Sequence, residues 1–304
     1  MTAHAQARTE EAMNVHRIGR FAIAVSEKMK KAHQGSEVRF REIEETPWPA
    51  GTKPEEAREA AWQARLNEIR ELEPPEGKAN TLLETRKLEI NGAWAQAARY
   101  YGYKDDAETI NWDLLLDGGA LGVWVTADGV IEEEKEIWKY NLEVAEAYRP
   151  PAKAAAAKEN WFYLKHGAIA LPYLEQEGAY ARFEDHPLGI YKFTVETTSV
   201  DEVEKVGLLD KITAVIVSGY GQGVKIDRLR TGKRTVAGLK GEEAILRMST
   251  DDDTELSFSW TYPGKEDSGH YPDITINMTA EDGQAEEKTA IWDAMLDSMR
   301  PIGR

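Results

Sequence analysis

The chain has no cysteine. That excludes disulfides, thiolate-ligated zinc, iron–sulfur clusters and a thiol nucleophile, and it leaves the redox compartment open. Histidine is scarce: His4, His16, His33, His166, His186 and His270 are the whole supply. No two of them stand four residues apart, the spacing that puts two imidazoles on one metal from one helix face. Basic residues are outnumbered, 38 against 54 acidic ones, for a net charge of −16 shared evenly on either side of Pro150. Such a surface repels nucleic acid and anionic lipid. No apolar run approaches the ~20 residues of a membrane helix. Neither a nucleic-acid partner nor a membrane span is expected.

Catalytic motifs are missing as well. There is no Gly-x-Ser-x-Gly, and Ser218 ends an apolar run without the glycine that a nucleophile turn needs two residues before it. Gly219-Tyr220-Gly221-Gln222-Gly223 has the glycines of a phosphate loop. The alternation after it, Val224-Lys225-Ile226-Asp227, predicts a strand where a phosphate site requires a helix N-terminus, so a hairpin turn fits better. Asp251-Asp252-Asp253 fails as a calcium loop, because Leu256 and Tyr262 occupy the positions that need glycine and glutamate. No metal, no cofactor and no catalytic residue is expected. Arg228, Arg230, Lys233 and Arg234 form one dense basic cluster, open to an acidic partner or to solvent.

What remains is ample for a core. Of 304 residues, 41% are hydrophobic, and the length favours two domains. Alternation predicts strands over 20–25 and 38–45. Pro54, Glu55 and Glu56 open a helix over 54–72, with Trp62, Leu66 and Ile69 at helical spacing. Asn91-Gly92 signals a hairpin between 82–88 and 93–101. A second strand pair is expected over 111–116 and 121–126, a turn at Asp128-Gly129, and a helix over 132–148. Residues 150–158 read as a linker. After it come strands at 167–171, 179–183 and 190–197, a helix over 200–209, strands at 212–219, 224–230, 242–249, 255–262 and 274–278, and a helix over 286–299. The tryptophans read as core.

The halves rhyme. Ile23-Ala24-Val25-Ser26 opens one and Ile169-Ala170-Leu171-Pro172 the other. Each half ends in a helix marked by Lys135, Ile137 and Trp138 or by Lys288, Ile291 and Trp292, followed by Arg149-Pro150 or Arg300-Pro301. The expected fold class is α+β, a duplicated unit of antiparallel sheet with packed helices, with domains at 14–150 and 159–304 facing each other across a cleft.

The C-terminal half carries an ordered set of motifs: Ala237-Gly238-Leu239-x-Gly241-Glu242-Glu243, Phe258-x-Trp260, Pro272-x-Ile274-x-Ile276-x-Met278, and Ile291-Trp292-Asp293-x-x-Leu296-x-Ser298-Met299-Arg300. This resembles the C-terminal domain of immunity proteins that neutralise type VI secretion phospholipase effectors. Gly19-Arg20-Phe21-x-Ile23-x-Val25 resembles that family's opening strand, with Ser26 where a proline is expected. The resemblance implies a two-domain, claw-like, non-enzymatic binder in the periplasm that occludes a lipase toxin from rival or sister cells. No complete secretory signal is visible. Ala3-His4-Ala5 has the small-x-small form of a cleavage site, which suits a processed terminus but also an accidental alanine-rich start. A periplasmic solute- or lipid-binding protein using the same cleft is the alternative, and a hydrolase with an unfamiliar site a third class. For a protein partner, aromatic anchors beside steering charges are expected in two strand-end segments: Tyr100, Tyr101, Tyr103, Asp105 and Asp106 in the first, and Tyr262, Lys265, Asp267, His270 and Tyr271 in the second.

Overall fold

The computed structural model describes residues 11–157, 159–174, 176–218 and 223–303, with the backbone alone over 215–218. Ala3-His4-Ala5 and, of the expected glycine turn, Gly219-Tyr220-Gly221-Gln222 lie outside them. The first half runs β1 (Met13–Ile18), β2 (Phe21–Ser26), β3 (Lys30–Val38), β4 (Arg41–Pro47), α1 (Pro54–Glu71), β5 (Leu82–Ile90), β6 (Ala93–Tyr100), β7 (Thr109–Asp117), β8 (Leu121–Val130), α2 (Glu134–Ala147) and β9 (Tyr148–Arg149). A short helix, α3 (Pro151–Ala156), follows. The second half runs β10 (Phe162–Tyr163), β11 (Ala168–Ile169), β12 (Glu177–His186), β13 (Ile190–Thr198), α4 (Leu208–Ser218), β14 (Lys225–Val236), β15 (Leu239–Ser249), β16 (Thr254–Pro263), β17 (Asp273–Glu281), α5 (Ala285–Ser298) and β18 (Arg300–Pro301).

Twelve strands form one antiparallel sheet in the order β14-β15-β16-β17-β13-β12-β3-β4-β8-β7-β6-β5. Its centre is the β3–β12 ladder, from Val38↔Glu177 to Lys30↔Glu184. Outward from that ladder the two arms repeat one order, β3-β4-β8-β7-β6-β5 and β12-β13-β17-β16-β15-β14. The opening hairpins stand outside this sheet and are exchanged. β2, from the start of the chain, pairs with β18 at its end, and β11 pairs with β9. Each half therefore opens on a strand that is completed by the last strand of the other. Side chains lock the exchange. The Ala24 N–H donates to Ser298 Oγ at 2.7 Å. Glu45 of β4 accepts the N–H groups of His166 and Gly167 in the β10–β11 turn, at 2.6 and 2.7 Å.

Local sequence explains most elements. Pro54 sits in the first turn of α1 with Glu55 and Glu56, complementing the helix dipole, while Trp62, Leu66 and Ile69 are buried against the sheet. Asn91 and Gly92 take φ of 53° and 79°, as a twisted two-residue hairpin turn demands. The closing helices pack alike: the Trp138 ring lies 4.5 Å from Trp112 on β7, and Trp292 lies 5.7 Å from Phe258 on β16. Both helices have 14 residues, with Trp138 at the fifth position and Trp292 at the eighth. The tryptophan thus moves about one turn along a helix of constant length.

Several expectations are corrected. The expected antiparallel sheet with packed helices is present but sheet-rich, with fewer helices than the α+β class implies, because tight turns join most neighbouring strands and leave no room for helices between them. The strand expected over 38–45 breaks at Arg39 and Phe40, both at positive φ, into the β3–β4 hairpin. The turn expected at Asp128-Gly129 is strand, paired as Asn111↔Asp128 and Ile110↔Gly129. Glycine fits there because a Cβ would come within 2.7 Å of the Ile137 side chain on α2. The strand expected over 212–219 and the helix over 200–209 are replaced by α4, since a short apolar run does not distinguish a buried strand from a helix. The stretch at 150–158 holds α3, whose Ala154 is buried and accepts a 2.6 Å hydrogen bond from Arg17. β2 is buried on both faces rather than one, beneath α5 and between β1 and β18.

Candidate functional site

The sheet opens at one place. β3 and β4 share only two ladder pairs, Val38↔Arg41 and Glu37↔Glu42, before β3 follows β12 and β4 follows β8. The gap is an open cleft of about 890 Å³ walled by β3 and β4, by Arg65 and Glu68 of α1, by Trp124 and Thr126 of β8, and by Lys165, Tyr180 and Glu196 across from them. A second hollow of about 860 Å³ adjoins it and shares Glu37, Glu42, Arg65 and Thr126. Phe40, Tyr103, Asp128, Glu133 and Glu136 line this second part. Carboxylates outnumber basic side chains in both.

Arg65 is engaged within the wall. Its Nε donates to Asp113 Oδ2 at 2.5 Å, and its Nη2 donates to the Tyr100 hydroxyl at 3.2 Å. The Tyr100 hydroxyl in turn lies 3.3 Å from Asp113 as donor. Asp113 is buried, so this trio ties α1 to β6 and β7 and fixes the floor of the hollow. Glu37 and Glu42 face each other at the mouth, and neither carboxylate has a cationic partner among the described residues. Burial and the charge of Glu42 together raise the Glu37 carboxyl above its ordinary range.

The expected anchors divide by exposure. Tyr100, Tyr101 and Tyr262 end or follow strands with their rings turned inward, and all three are buried. Tyr103 is 55% exposed on the loop after β6 and lines the hollow. Asp105 beside it is exposed. Asp106 accepts the N–H groups of Glu108 and Thr109, at 2.7 and 3.0 Å. Hydrogen bonds from Thr109 and Glu108 hold its carboxyl below the usual range. In the second segment, Lys265, Asp267 and His270 are exposed and Tyr271 is partly buried. Lys265 Nζ lies 3.9 Å from the centre of the Tyr271 ring, and His270 Nδ1 lies 3.2 Å from Asn160 Nδ2. None of these second-segment residues lines the cleft or the hollow. The basic cluster on β14 is partly spent within the chain. Arg230 makes a two-point contact with Asp293 at 2.5 and 3.0 Å, and Arg234 donates to Glu243 and Asp297, each at 2.7 Å.

Sequence reasoning missed the carboxylate rim and Phe40. One signal was available. In Arg41-Glu42-Ile43-Glu44-Glu45, Glu42 and Glu44 alternate with Arg41 and Ile43, which marks an acidic solvent-facing edge on β4.

Residues 159–301 match the family model of the Tle cognate immunity protein 4 C-terminal domain. No curated protein matches the chain. Among solved structures, the apo immunity protein TplEi of the type VI secretion system of Pseudomonas aeruginosa aligns with a TM-score of 0.75 at 20% identity, over 95% of this chain and 97% of that one. A chain of the Tle4–Tli4 complex aligns with a TM-score of 0.76 at 20% identity, over 95% and 97%. TplEi bound to an "L" peptide gives 0.73 at 19%, over 96% and 99%. At such identity the likeness establishes the fold, and here it does so along nearly the whole of each chain.

Proposed function

We propose that this chain is a type VI secretion immunity protein that binds a Tle-type phospholipase effector and inhibits it by occlusion, without catalysis of its own. The carrying observation is the coincidence of the family match over 159–301 with a fold shared end to end with TplEi and with a chain of the Tle4–Tli4 complex. The repeated strand order supports a reading as two like domains, 14–150 and 159–304, set as a claw about the cleft. The periplasm is the compartment that suits this task. The exposed members of the two anchor segments, Tyr103, Asp105, Lys265, Asp267 and His270, with the partly exposed Asp106 and Tyr271, are the proposed contact residues. The carboxylate lining of the cleft weighs against a seat for lipid.

The test is titration of a purified Tle-type phospholipase effector from the organism that carries this chain. Hydrolysis of a phospholipid substrate should fall to background at one equivalent of this protein. Full hydrolysis in the presence of excess protein rejects the reading, as does phospholipid hydrolysis by the chain itself that a single substitution abolishes.

A further inference from the structure

Burial around the β3–β4 turn runs opposite to polarity. Arg39 and Arg41 are 6% and 4% exposed, while Phe40 between them is 59% exposed. The arginines are held from α2. Arg41 donates to Asn141 Oδ1 and to the Ile137 carbonyl, both at 3.0 Å, and Arg39 is paired with Glu143. These contacts fix the turn and hold the phenyl ring exposed at the edge of the second hollow.

The backbone at this turn is also costly. Among the described residues, three hairpin turns have both central residues at positive φ: Arg39-Phe40, Asn91-Gly92 and Ala237-Gly238. In two of them the second position is glycine, the residue that takes this conformation without strain. At the third it is Phe40, at φ 61°, where a bulky side chain is a true outlier. The next ladder pair adds a second cost, since Glu37 and Glu42 stand directly opposite one another and like charges across a strand pair destabilise it. Two departures from the most stable sequence stand at one hairpin tip, the backbone held by the α2 contacts and the carboxylate pair without a cation among the described residues, and they mark a segment shaped for something other than stability.

We propose that the tip of the β3–β4 hairpin is a recognition element of the effector interface: Phe40 enters an apolar pocket on the effector, and Glu37 and Glu42 take a cationic side chain beside that pocket. This rests on the reading of the chain as an effector-binding immunity protein. An aromatic side chain held rigidly in solvent loses little entropy on docking and is the kind of residue that dominates interfaces. The two carboxylates lose their mutual repulsion when a cation arrives, so binding relieves a strain that folding left in place.

Two full-length variants test this, Phe40→Gly and Glu42→Gln, read both by thermal unfolding and by binding to that purified effector. Neither variant should unfold below the unmodified protein. Phe40→Gly should bind at least tenfold more weakly. Glu42→Gln should bind several-fold more weakly at low salt, with the difference shrinking as salt rises. A lower unfolding midpoint for Phe40→Gly shows the ring to be structural and overturns the proposal, as does unchanged affinity in both variants while the unmodified protein binds. If the unmodified protein does not bind the effector, the parent reading has failed and this one falls with it.

Discussion

Arg20 and Glu177 form a buried two-point ion pair, Nε to Oε2 at 2.7 Å and Nη2 to Oε1 at 2.5 Å, with both side chains nearly excluded from solvent. Arg20 lies in the two-residue β1–β2 turn of the first half, and Glu177 begins β12 of the second. Arg20 also donates to the carbonyls of Asn160 and Leu171 at 2.6 and 3.1 Å, so one guanidinium organises three segments of the second half. Glu177→Ala leaves that cation buried and uncompensated, and should cost about 3–5 kcal/mol in urea unfolding. The double variant Arg20→Met with Glu177→Leu should recover most of the loss, because an apolar pair of similar volume carries no desolvation cost.

His16 sets a pH dependence. Its ring meets Phe183 edge-on at 4.7 Å, and burial together with the nearby Lys31 lowers its pKa from 6.5 to about 4. Between these values the unfolded chain takes a proton that the folded chain refuses. This contribution to stability is complete above pH 6.5 and is lost as the pH falls towards 4. After allowance for partial exposure it amounts to about 1–3 kcal/mol. His16→Phe should flatten this part of the stability profile; equal slopes for the two proteins between pH 4.5 and 7 would contradict the assignment.

The paired tryptophans should respond unequally. Trp292 is fully buried against Phe193 and Phe258, and its Nε1 donates to Glu243 at 2.8 Å. Trp292→Ala should cost about 3–5 kcal/mol by thermal or urea unfolding. Trp138 is only half-buried, packed on Trp112 with the Arg86 guanidinium 4.4 Å from its ring. Trp138→Ala should cost less, about 1–3 kcal/mol, because less area is lost.

Tyr103 and Tyr271 separate binding from folding. If both are anchors, Tyr103→Ala and Tyr271→Ala should each weaken effector binding by ~1–3 kcal/mol. Tyr103 is mostly exposed, so its variant should unfold at the same temperature as the unmodified protein. Isothermal titration on both variants, with circular dichroism melts alongside, decides the matter. Unchanged affinity in both would move the interface elsewhere.

The sequence was readable where local chemistry decides the outcome. Asn91-Gly92, the proline and acids that open α1, and the alternation along β16 all act within a few residues, and their elements stand where the pattern put them. It was unreadable where distant partners decide. Arg39 and Arg41 looked like the solvent face of a strand, and their burial depends on residues of α2 about a hundred positions away. The carboxylate cleft is assembled from β3, β4, α1, β8 and β13, and only the pairing of β3 with β12 brings Glu196 to the same opening as Glu44. The inward tyrosines were misplaced for a related reason. Tyr100 and Tyr262 are the last inward-facing positions of their strands, and a loop begins only after them.

The exchange of opening strands has a consequence for the order of assembly. β2 consists of Phe21-Ala22-Ile23-Ala24-Val25-Ser26, every residue buried, and it leaves the ribosome well before the elements that cover it. Its partners β18 and α5 come far later, and the Ala24–Ser298 hydrogen bond spans 274 residues. An apolar strand must therefore wait until all the residues between it and its cover have been made. The nascent chain cannot close early, and the unfolded form stays open to any factor that binds extended apolar segments until the final helix arrives. The closing helix of the second half is thus the latch on β2 of the first.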